Sequence, residues 1–242
     1  MQRIAVIVPA YNEEKSIAAV VATVKAQKLP DGYMADVVVV NDCSHDTTAQ
    51  IASGLDCVLL NLAVNLGIGG AVQTGLIYAL NNGYNYAVQM DGDGQHPASE
   101  LPKLINALET ENADIVIGSR FMLKEGFQSS FMRRVGINYF TKLIGALTGL
   151  SITDATSGYR LFGHKALELA SNYYPDEYPE PEAIIYFKLN GLKIIETPVQ
   201  MNERREGKSS IGTFASLYYM LKVTLAVLFT YIKCRNNSII NN

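Results

Sequence analysis

Two aspartates, Asp91 and Asp93, stand one residue apart in residues 88–97, which read Val-Gln-Met-Asp-Gly-Asp-Gly-Gln-His-Pro. The glycines between and after them predict a sharp turn, because glycine adopts backbone angles that other residues avoid. Paired carboxylates offer hard oxygen ligands to a divalent cation that keeps several waters and binds phosphate oxygens. Gln95 and His96 lie within reach as further ligands or supporting partners. The segment predicts a metal site, and a plain polar Asp-Gly turn is the alternative.

Apolar and β-branched runs predict the strands that must position these acids, over residues 4–8, 36–40, 57–60, 86–90, 114–117 and 193–199. Helical patterns lie between them, with Asn12 as the expected cap of the first helix and Ser44 or Asp46 as that of the second. Strands that alternate with helices in this way indicate an α/β fold with a parallel sheet covered on both faces.

Polar residues follow the ends of these strands. Asn12 and Glu13 come after the first strand, Asn41 and Asp42 after the second, and the two aspartates after the fourth. The carboxyl ends of parallel strands share one edge of the sheet, where open α/β sheets bind ligands. Acids, a glycine-rich turn and an arginine at that edge indicate a nucleotide whose diphosphate is bridged by a metal.

The glycines at 67, 69 and 70 open a predicted helix that runs to about residue 80. Backbone N–H groups at a helix start could cradle phosphate. The spacing is not the G-x-G-x-x-G of dinucleotide-binding folds, since Val72 stands where the third glycine would be. The alternative is a turn that lets the helix pack closely.

Composition limits the class of protein. The chain has 242 residues, of which 48% are hydrophobic and 18% charged, with a net charge of −3 and a pI near 5.7. These values predict one sizeable domain, with or without an appendage, and do not indicate a nucleic-acid partner. Cys43, Cys57 and Cys234 lack zinc-ligand spacing, so we expect free thiols in a reducing cytosol.

Six segments together resemble the family 2 glycosyltransferases of the GT-A fold, and most of all the polyprenyl-phosphate, dolichol-phosphate-mannose-synthase-like branch. They occur in the order of that family, at residues 7–14, 41–48, 65–71, 91–97, 118–120 and 154–160. One segment departs from the pattern: the family usually has Asp-Asp-Gly-Ser where this chain has Asn-Asp-Cys-Ser at 41–44. The resemblance implies a mostly parallel central sheet with helices on both faces.

The resemblance also implies a donor site for a nucleotide-diphosphate sugar. Pro9, Tyr11, Glu13 and Asp42 would hold the nucleoside, with Gly69 in the phosphate-facing loop. Asp91, Asp93 and Gln95 would hold Mg²⁺ or Mn²⁺ against the diphosphate, where the metal neutralises the charge of the leaving group. Arg120 would assist at the same diphosphate; a surface ion pair is its alternative role.

Asp154 and Arg160 flank a Ser-Gly turn that, by the same resemblance, closes on the donor sugar, and both are predicted catalytic residues. A sugar hydroxyl acceptor would require a carboxylate to remove its proton, for which Asp154 and Glu182 are the candidates. A phosphate acceptor is already an anion and requires no base, and Asp154 would then orient sugar hydroxyls. Glu180 is expected only to suit the dipole of the helix that it opens.

Residues 127–150 combine an apolar face with basic residues near its start, which is typical of a helix on a membrane surface and also of an ordinary packing helix. Arg133 or Arg134 would contact the phosphate of a lipid acceptor. Residues 202–210 resemble the family's Arg-x-x-Gly-x-Ser loop, so that Arg204, Lys208 and Ser209 would reach phosphate groups. A solvated surface loop is the alternative.

Residues 1–212 are predicted to form the transferase domain and residues 213–242 an apolar C-terminal helix. Lys222 near the middle of the apolar stretch disfavours a membrane-spanning helix, because a charge there is costly. We expect an interfacial helix, or one docked on a small membrane partner protein. The predicted location is the cytoplasmic face of the cell membrane, with the protein bound peripherally.

The predicted function is therefore inverting, metal-dependent transfer of a sugar from a nucleotide sugar to undecaprenyl or dolichyl phosphate. The nearest alternative uses a sugar hydroxyl acceptor in polysaccharide or cell-wall assembly. A nucleotidyltransferase is disfavoured, because residues 9–14 after the first strand are acidic rather than basic. A non-catalytic subunit that binds a nucleotide sugar is the alternative from another class.

Overall fold

The computed structural model describes the backbone of residues 1–123, 131–202 and 213–240, and the side chains of residues 1–123, 134–202 and 218–236. The strands are β1 (Gln2–Ala10), β2 (Tyr33–Asn41), β3 (Val58–Asn61), β4 (Tyr86–Gln89), β5 (Ile115–Ser119), β6 (Arg160–Phe162) and β7 (Ile194–Pro198). The helices are α1 (Ile17–Ala26), α2 (Thr48–Ser53), α3 (Gly67–Asn81), α4 (Leu101–Glu111), α5 (Phe131–Thr148), α6 (His164–Asn172), α7 (Pro179–Leu189) and α8 (Thr213–Ile240).

The strands form one seven-stranded sheet in the order β3-β2-β1-β4-β6-β5-β7. Every pairing is parallel except those of β6, which runs antiparallel between β4 and β5. The predicted α/β class and mostly parallel sheet are confirmed. The strand β6 was not predicted, because its three residues are too few to show a strand pattern.

Alternate residues of the buried strands face two separate cores. On β1, Ile4, Val6 and Val8 pack with α1 and α4, whereas Ala5 and Ile7 pack with α3 and the helices of the second half. This alternation follows from the two-residue period of a strand. The sheet is therefore covered on both faces, and its polar carboxyl edge is left to bind ligands.

The loops after β1 and β2 are tied to each other. The prediction that Asn12 caps α1 is wrong. Asn12 has φ +57°, and the helix begins only at Ile17. Its side-chain Oδ1 instead accepts the N–H of His45 at 2.8 Å, and its own N–H donates to Ser44 Oγ at 3.0 Å. Asp46 does bond to the start of α2, accepting the N–H of Thr48 at 2.9 Å.

Candidate active site

Asp91 and Asp93 lie directly after β4 at the carboxyl edge of the sheet, in a turn where Gly94 has φ +76°. The side chain of Asp91 is 35% exposed; its Oδ1 accepts a long hydrogen bond, 3.4 Å, from Gln89 Nε2, and its Oδ2 lies 3.7 Å from His96 Nε2. Asp93 lines a cleft of about 710 Å³ and accepts the N–H of Gln95 at 2.9 Å. Both carboxylates are thus at the predicted edge.

The donor chemistry of this edge fits a hard divalent cation. Within residues 1–123, 134–202 and 218–236, no three His, Cys, Asp or Glu side chains are grouped so that they could hold a metal by themselves. Two carboxylates would therefore share the ion with other oxygen donors. That is the usual arrangement for Mg²⁺, which keeps waters and binds substrate phosphates as well as one or two carboxylates.

His96 supports this turn through a hydrogen bond to its backbone. Its Nδ1 accepts the backbone N–H of Asp91 at 3.0 Å, and its ring stacks on Tyr159 with centroids 4.8 Å apart. Because Nδ1 accepts a hydrogen bond, the imidazole carries its proton on Nε2. Of the two roles predicted for His96, the structure favours that of a supporting partner over that of a ligand.

Three of the predicted nucleoside contacts lie beside the metal candidates. Tyr11 is exposed after β1 and meets His45 edge to face, with ring centroids 6.1 Å apart. Glu13 is anchored by its N–H to Thr48 Oγ1 at 2.8 Å and lines the same cleft as Asp93. The Pro9 carbonyl abuts Gly92, where a Cβ would lie 3.0 Å from it. The first strand and the Asp-Gly-Asp turn therefore form one continuous surface.

Asp42 has the geometry of a helix cap, and its predicted contact with the base stays a prediction. It is 4% exposed, and its Oδ1 and Oδ2 accept the N–H groups of Leu66 at 2.7 Å and Gly67 at 3.0 Å. These bonds satisfy amides at the start of α3 that have no partner within the helix. The preceding Asn41 is also internal, since its Nδ2 donates to Asn61 Oδ1 at 2.9 Å.

The departure at Cys43 leaves the backbone of this loop in a glycine-like conformation. Cys43 has φ +58°, the left-handed region in which glycine is unstrained. A non-glycine residue there is disfavoured by about 1 kcal/mol or more. Cys43 thus adopts a conformation that would suit the glycine usual in the motif that this segment resembles, and it lowers stability by about that amount.

Gly69 serves close packing rather than a phosphate cradle. Its N–H donates to the carbonyl of Asp176 at 3.0 Å, and a Cβ at this position would lie 2.0 Å from the carbonyl oxygen of Pro175. With Asp42 holding the amides of residues 66 and 67, protein atoms already occupy these N–H groups at the start of α3. Of the two readings open for this loop, the geometry therefore favours the packing turn.

Arg120 and Asp154 form a buried ion pair at the end of β5. Arg120 Nε and Nη2 donate to the two carboxylate oxygens at 2.6 and 2.7 Å, and the Arg120 N–H adds a third bond at 3.2 Å. Asp154 is 0% exposed. Burial lowers the pKa of Arg120, but the hydrogen bonds to Asp154 and the negative charges of Asp154, Asp91 and Glu180 together raise it above its usual value, so the guanidinium stays charged. The pair is a bidentate one within the site, not a surface ion pair.

Arg160 holds the backbone of the loop that contains Asp154. It is 1% exposed, and its guanidinium donates to the carbonyl oxygens of Ser157 at 2.8 Å, Ala155 at 3.4 Å and Glu180 at 2.9 Å. A side chain that is enclosed and bonded in this way positions other groups. The geometry supports a positioning role instead of the predicted catalytic one.

Glu180 is a residue whose position the sequence did not indicate. Its carboxylate interacts electrostatically with Arg160, Asp91 and Arg120, and burial raises its pKa above the ordinary value. Glu182, a predicted base, points elsewhere: its Oε1 accepts hydrogen bonds from Tyr173 at 2.6 Å and Thr230 at 2.7 Å. Only the fold, through β6 and the start of α7, distinguishes these two glutamates.

The ring of Phe121 lies near both Arg120, the predicted contact of the donor diphosphate, and Arg134, a predicted contact of the acceptor phosphate. The Arg120 guanidinium carbon lies 5.3 Å from the centre of this ring, and that of Arg134 lies 6.0 Å from it. Arg134 therefore shares the Phe121 ring with Arg120, and its predicted contact with a lipid phosphate stays a prediction. The side chain of Arg133, and all of Arg204, Lys208 and Ser209, lie outside the described residues.

Comparison with known sequences identifies a matching family. The sequence model described as "Glycosyl transferase family 2" matches residues 5–169. The chain is 31% identical over 217 residues to the UDP-N-acetylglucosamine–dolichyl-phosphate N-acetylglucosaminyltransferase of Methanococcus voltae, covering 80% of this chain and 83% of that protein. It is 30% identical over 219 residues to the undecaprenyl-phosphate mannosyltransferase of Micrococcus luteus, covering 87% and 88%.

Comparison with solved structures finds the same architecture. Glucosyl-3-phosphoglycerate synthase from Mycobacterium tuberculosis, solved with Mn²⁺, uridine diphosphate and glucosyl-3-phosphoglycerate, superposes with a TM-score of 0.69. The match covers 95% of this chain and 80% of that chain at 22% sequence identity. At that identity the likeness concerns the fold.

Proposed function

Since the chain belongs to glycosyl transferase family 2, in its polyprenyl-phosphate branch, we propose that it transfers a sugar from a nucleotide-diphosphate sugar to a polyprenyl phosphate. The chain is a glycosyltransferase with the GT-A fold. The observation that carries the proposal is the juxtaposition, at one sheet edge, of Asp91 and Asp93 with the Arg120–Asp154 pair and, through Phe121, with Arg134.

On the donor side, Asp91, Asp93 and Gln95 would hold Mg²⁺ or Mn²⁺. Bound there, the metal would neutralise the charge that develops on the leaving diphosphate. Arg120, held rigid by Asp154, would present its guanidinium to the same diphosphate. Tyr11 would stack on the base, and Glu13 would accept a hydrogen bond from the nucleoside.

On the acceptor side, the described carboxylates support a phosphate nucleophile. The two candidate bases are both engaged: Asp154 binds Arg120, and Glu182 binds Tyr173 and Thr230. A phosphate monoester needs no base, because its oxygen is already anionic. That oxygen would attack the anomeric carbon from the face opposite the diphosphate as the bond to the diphosphate breaks. A single displacement of this kind inverts the configuration.

Glu180, whose carboxylate interacts with Asp91 and Arg120, would be the remaining candidate base for a sugar hydroxyl, so the variant Glu180→Gln distinguishes the two acceptor classes. With a phosphate acceptor we expect the variant to keep its rate within about 10-fold, whereas removing a general base lowers the rate by about 10²- to 10⁴-fold. The measurement is transfer from a panel of nucleotide sugars to undecaprenyl phosphate, dolichyl phosphate and oligosaccharides. The donor is chosen by the thermal stabilisation that it gives with Mn²⁺, because a ligand of the folded state raises the midpoint.

If the wild type transferred sugar only to oligosaccharides, and Glu180→Gln abolished that transfer, the acceptor would be a sugar hydroxyl and not a lipid phosphate. Binding of a nucleotide sugar without transfer to any acceptor, with lipid and metal present, would instead favour the non-catalytic subunit. Identical rates for all three acceptor types would contradict specificity for a lipid phosphate.

The proposal includes attachment to a membrane surface through an apolar ridge. The ridge consists of Leu221, Leu225, Phe229 and Ile232 on α8 and Val135 on α5, all exposed. The two helices are joined by Tyr139 and Thr224, whose hydroxyl groups are 3.1 Å apart. Within the described residues, none of the helices has both the length and the apolar character needed to cross a bilayer. Lys222 pairs with Glu177 on the protein itself.

The ridge lies on the helix that carries Arg134 and on its neighbour α8, so a ridge buried at the headgroup level would bring lipid phosphate towards Arg134. This is the cytoplasmic, peripheral arrangement that we propose. A small membrane protein would be a different occupant of the same ridge.

Replacing Leu221, Leu225 and Phe229 together by serine should weaken binding to vesicles of phosphatidylglycerol and phosphatidylcholine by at least about 10-fold. The reason is that full burial of each such apolar side chain contributes about 1.5–3 kcal/mol to the free energy of binding. The measurement is co-flotation with the vesicles, with the thermal midpoint checked in parallel. The matched control replaces three exposed apolar residues elsewhere, Met34, Val64 and Ile77. Equal binding of the two triple variants would assign the ridge to a protein partner.

A further inference from the structure

Glu196 lies on β7, at the edge of the sheet, beneath the loop that carries Asp154. We propose that Glu196 is a positioning residue that fixes the Arg120–Asp154 pair for its work on the donor diphosphate. This inference rests on the proposed function and adds to it a residue that contacts neither substrate. Its sequence context, a glutamate within a predicted strand, gave no sign of such a role.

The carboxylate of Glu196 accepts three hydrogen bonds from two consecutive residues. Its Oε2 accepts the N–H of Thr153 at 2.6 Å and the hydroxyl of Thr153 at 2.9 Å, and its Oε1 accepts the N–H of Asp154 at 2.7 Å. Adjacent N–H groups that converge on one carboxylate fix the peptide between them. The orientation of the Asp154 side chain, and with it Arg120, follows from that peptide.

A second route leads from Glu196 to the same arginine. The hydroxyl of Thr153 lies 2.7 Å from that of Ser119, the residue directly before Arg120. The register of β5 and β7 places Glu196 opposite Ile117, two residues before Ser119. Glu196 therefore acts on both members of the ion pair: on Asp154 through its backbone, and on Arg120 through Thr153 and Ser119.

Two side chains of opposite charge hold the backbone of this loop, a carboxylate at its N–H groups and a guanidinium at its carbonyl groups. Glu196 binds N–H groups at 153 and 154, and Arg160 binds carbonyl groups at 155 and 157. Each of these four backbone groups thus has a charged partner, which gives stronger hydrogen bonds than a neutral one. A loop anchored in this way can hold Arg120 still while charge develops on the diphosphate, which is the condition for electrostatic catalysis.

Glu196→Gln tests this role with little change in size. An amide can accept from only one of the two N–H groups, and its NH₂ faces the other, so the loop must shift. Misplacing a catalytic group by about 1 Å can lower the rate by about 10²-fold. We expect kcat to fall by about 10- to 100-fold with a smaller change in KM for the donor, since the diphosphate gains charge mainly in the transition state.

Glu168→Gln is the matched control, because Glu168 is an exposed glutamate of α6 whose carboxylate lies 3.5 Å from His164 on the same helix. Amide hydrogen exchange supplies a readout that does not depend on turnover: the N–H groups of Thr153 and Asp154 should exchange faster in Glu196→Gln and not in Glu168→Gln. An unchanged kcat in Glu196→Gln, or a fall in kcat that the control shows equally, would overturn the proposal.

The same variants separate this proposal from the proposed function. If the wild-type chain transferred no sugar, the proposed function would fail, and the role of Glu196 would be tested by thermal stabilisation with Mn²⁺ and the nucleoside diphosphate that stabilises the wild type most. A smaller midpoint shift in Glu196→Gln than in the control would support its action on the diphosphate site through Arg120. Equal shifts would refute it.

Discussion

Asp93→Asn is expected to lower the kcat/KM of sugar transfer by at least about 10³-fold, equivalent to about 4 kcal/mol of transition-state stabilisation. The substitution keeps the shape of the side chain, including an oxygen that can accept the N–H of Gln95, and removes the negative charge. A cation held by two carboxylates would lose half of the negative charge that the protein supplies to it. The measurement is initial rate at saturating Mn²⁺ with the donor and lipid phosphate identified above.

Asp56→Asn is the control, because Asp56 is 88% exposed and its pair with Lys25 is a surface one. We expect its rate to equal that of the wild type. EDTA should abolish transfer by the wild type, and added Mg²⁺ or Mn²⁺ should restore it. An unchanged rate in EDTA would remove the metal from the mechanism, and an active Asp93→Asn variant would remove Asp93 from the metal site.

The sequence predicted those parts of the fold that repeat a local pattern. The β-branched runs of β1 and β2 and the apolar spacing of α1 and α4 each express burial against the sheet, so their periodicity is visible in one dimension. Strand ends were predictable for the same reason, and with them the edge that carries Asp91 and Asp93. The strand β6 was missed because three residues held antiparallel between two other strands depend on tertiary pairing alone.

The roles of individual polar residues were harder to predict, because a polar group at a strand end has several ways to satisfy its hydrogen bonds. Asp42 caps α3, 24 and 25 residues further along the chain, and Gly69 makes room for the loop at 175 and 176. Both partners come from other parts of the chain. A motif specifies which residues stand at the edge, whereas packing decides which of them face a ligand.

The pairing of Arg120 with Asp154 shows the same limit and has a large energetic consequence. The residues are 34 positions apart, and each was assigned to the substrate separately. Arg120→Ala should lower the free energy of unfolding by about 3–5 kcal/mol, because it leaves the carboxylate of a fully buried Asp154 without its counter-charge. Urea unfolding at neutral pH measures this change. Transfer activity should fall in the same variant, since the diphosphate loses its guanidinium partner.

A double-mutant cycle identifies the source of that loss. Arg120→Ala combined with Asp154→Asn should be more stable than Arg120→Ala alone, because the second change removes the unpaired charge. Lys25→Ala provides the comparison with an exposed pair, whose loss should change stability by less than about 1 kcal/mol. If Arg120→Ala were as mild as Lys25→Ala, or if the two changes in the site simply added, the ion pair would not hold this loop. The positioning role of Glu196 would then lose its physical basis, because Arg120 would no longer depend on Asp154 for its place.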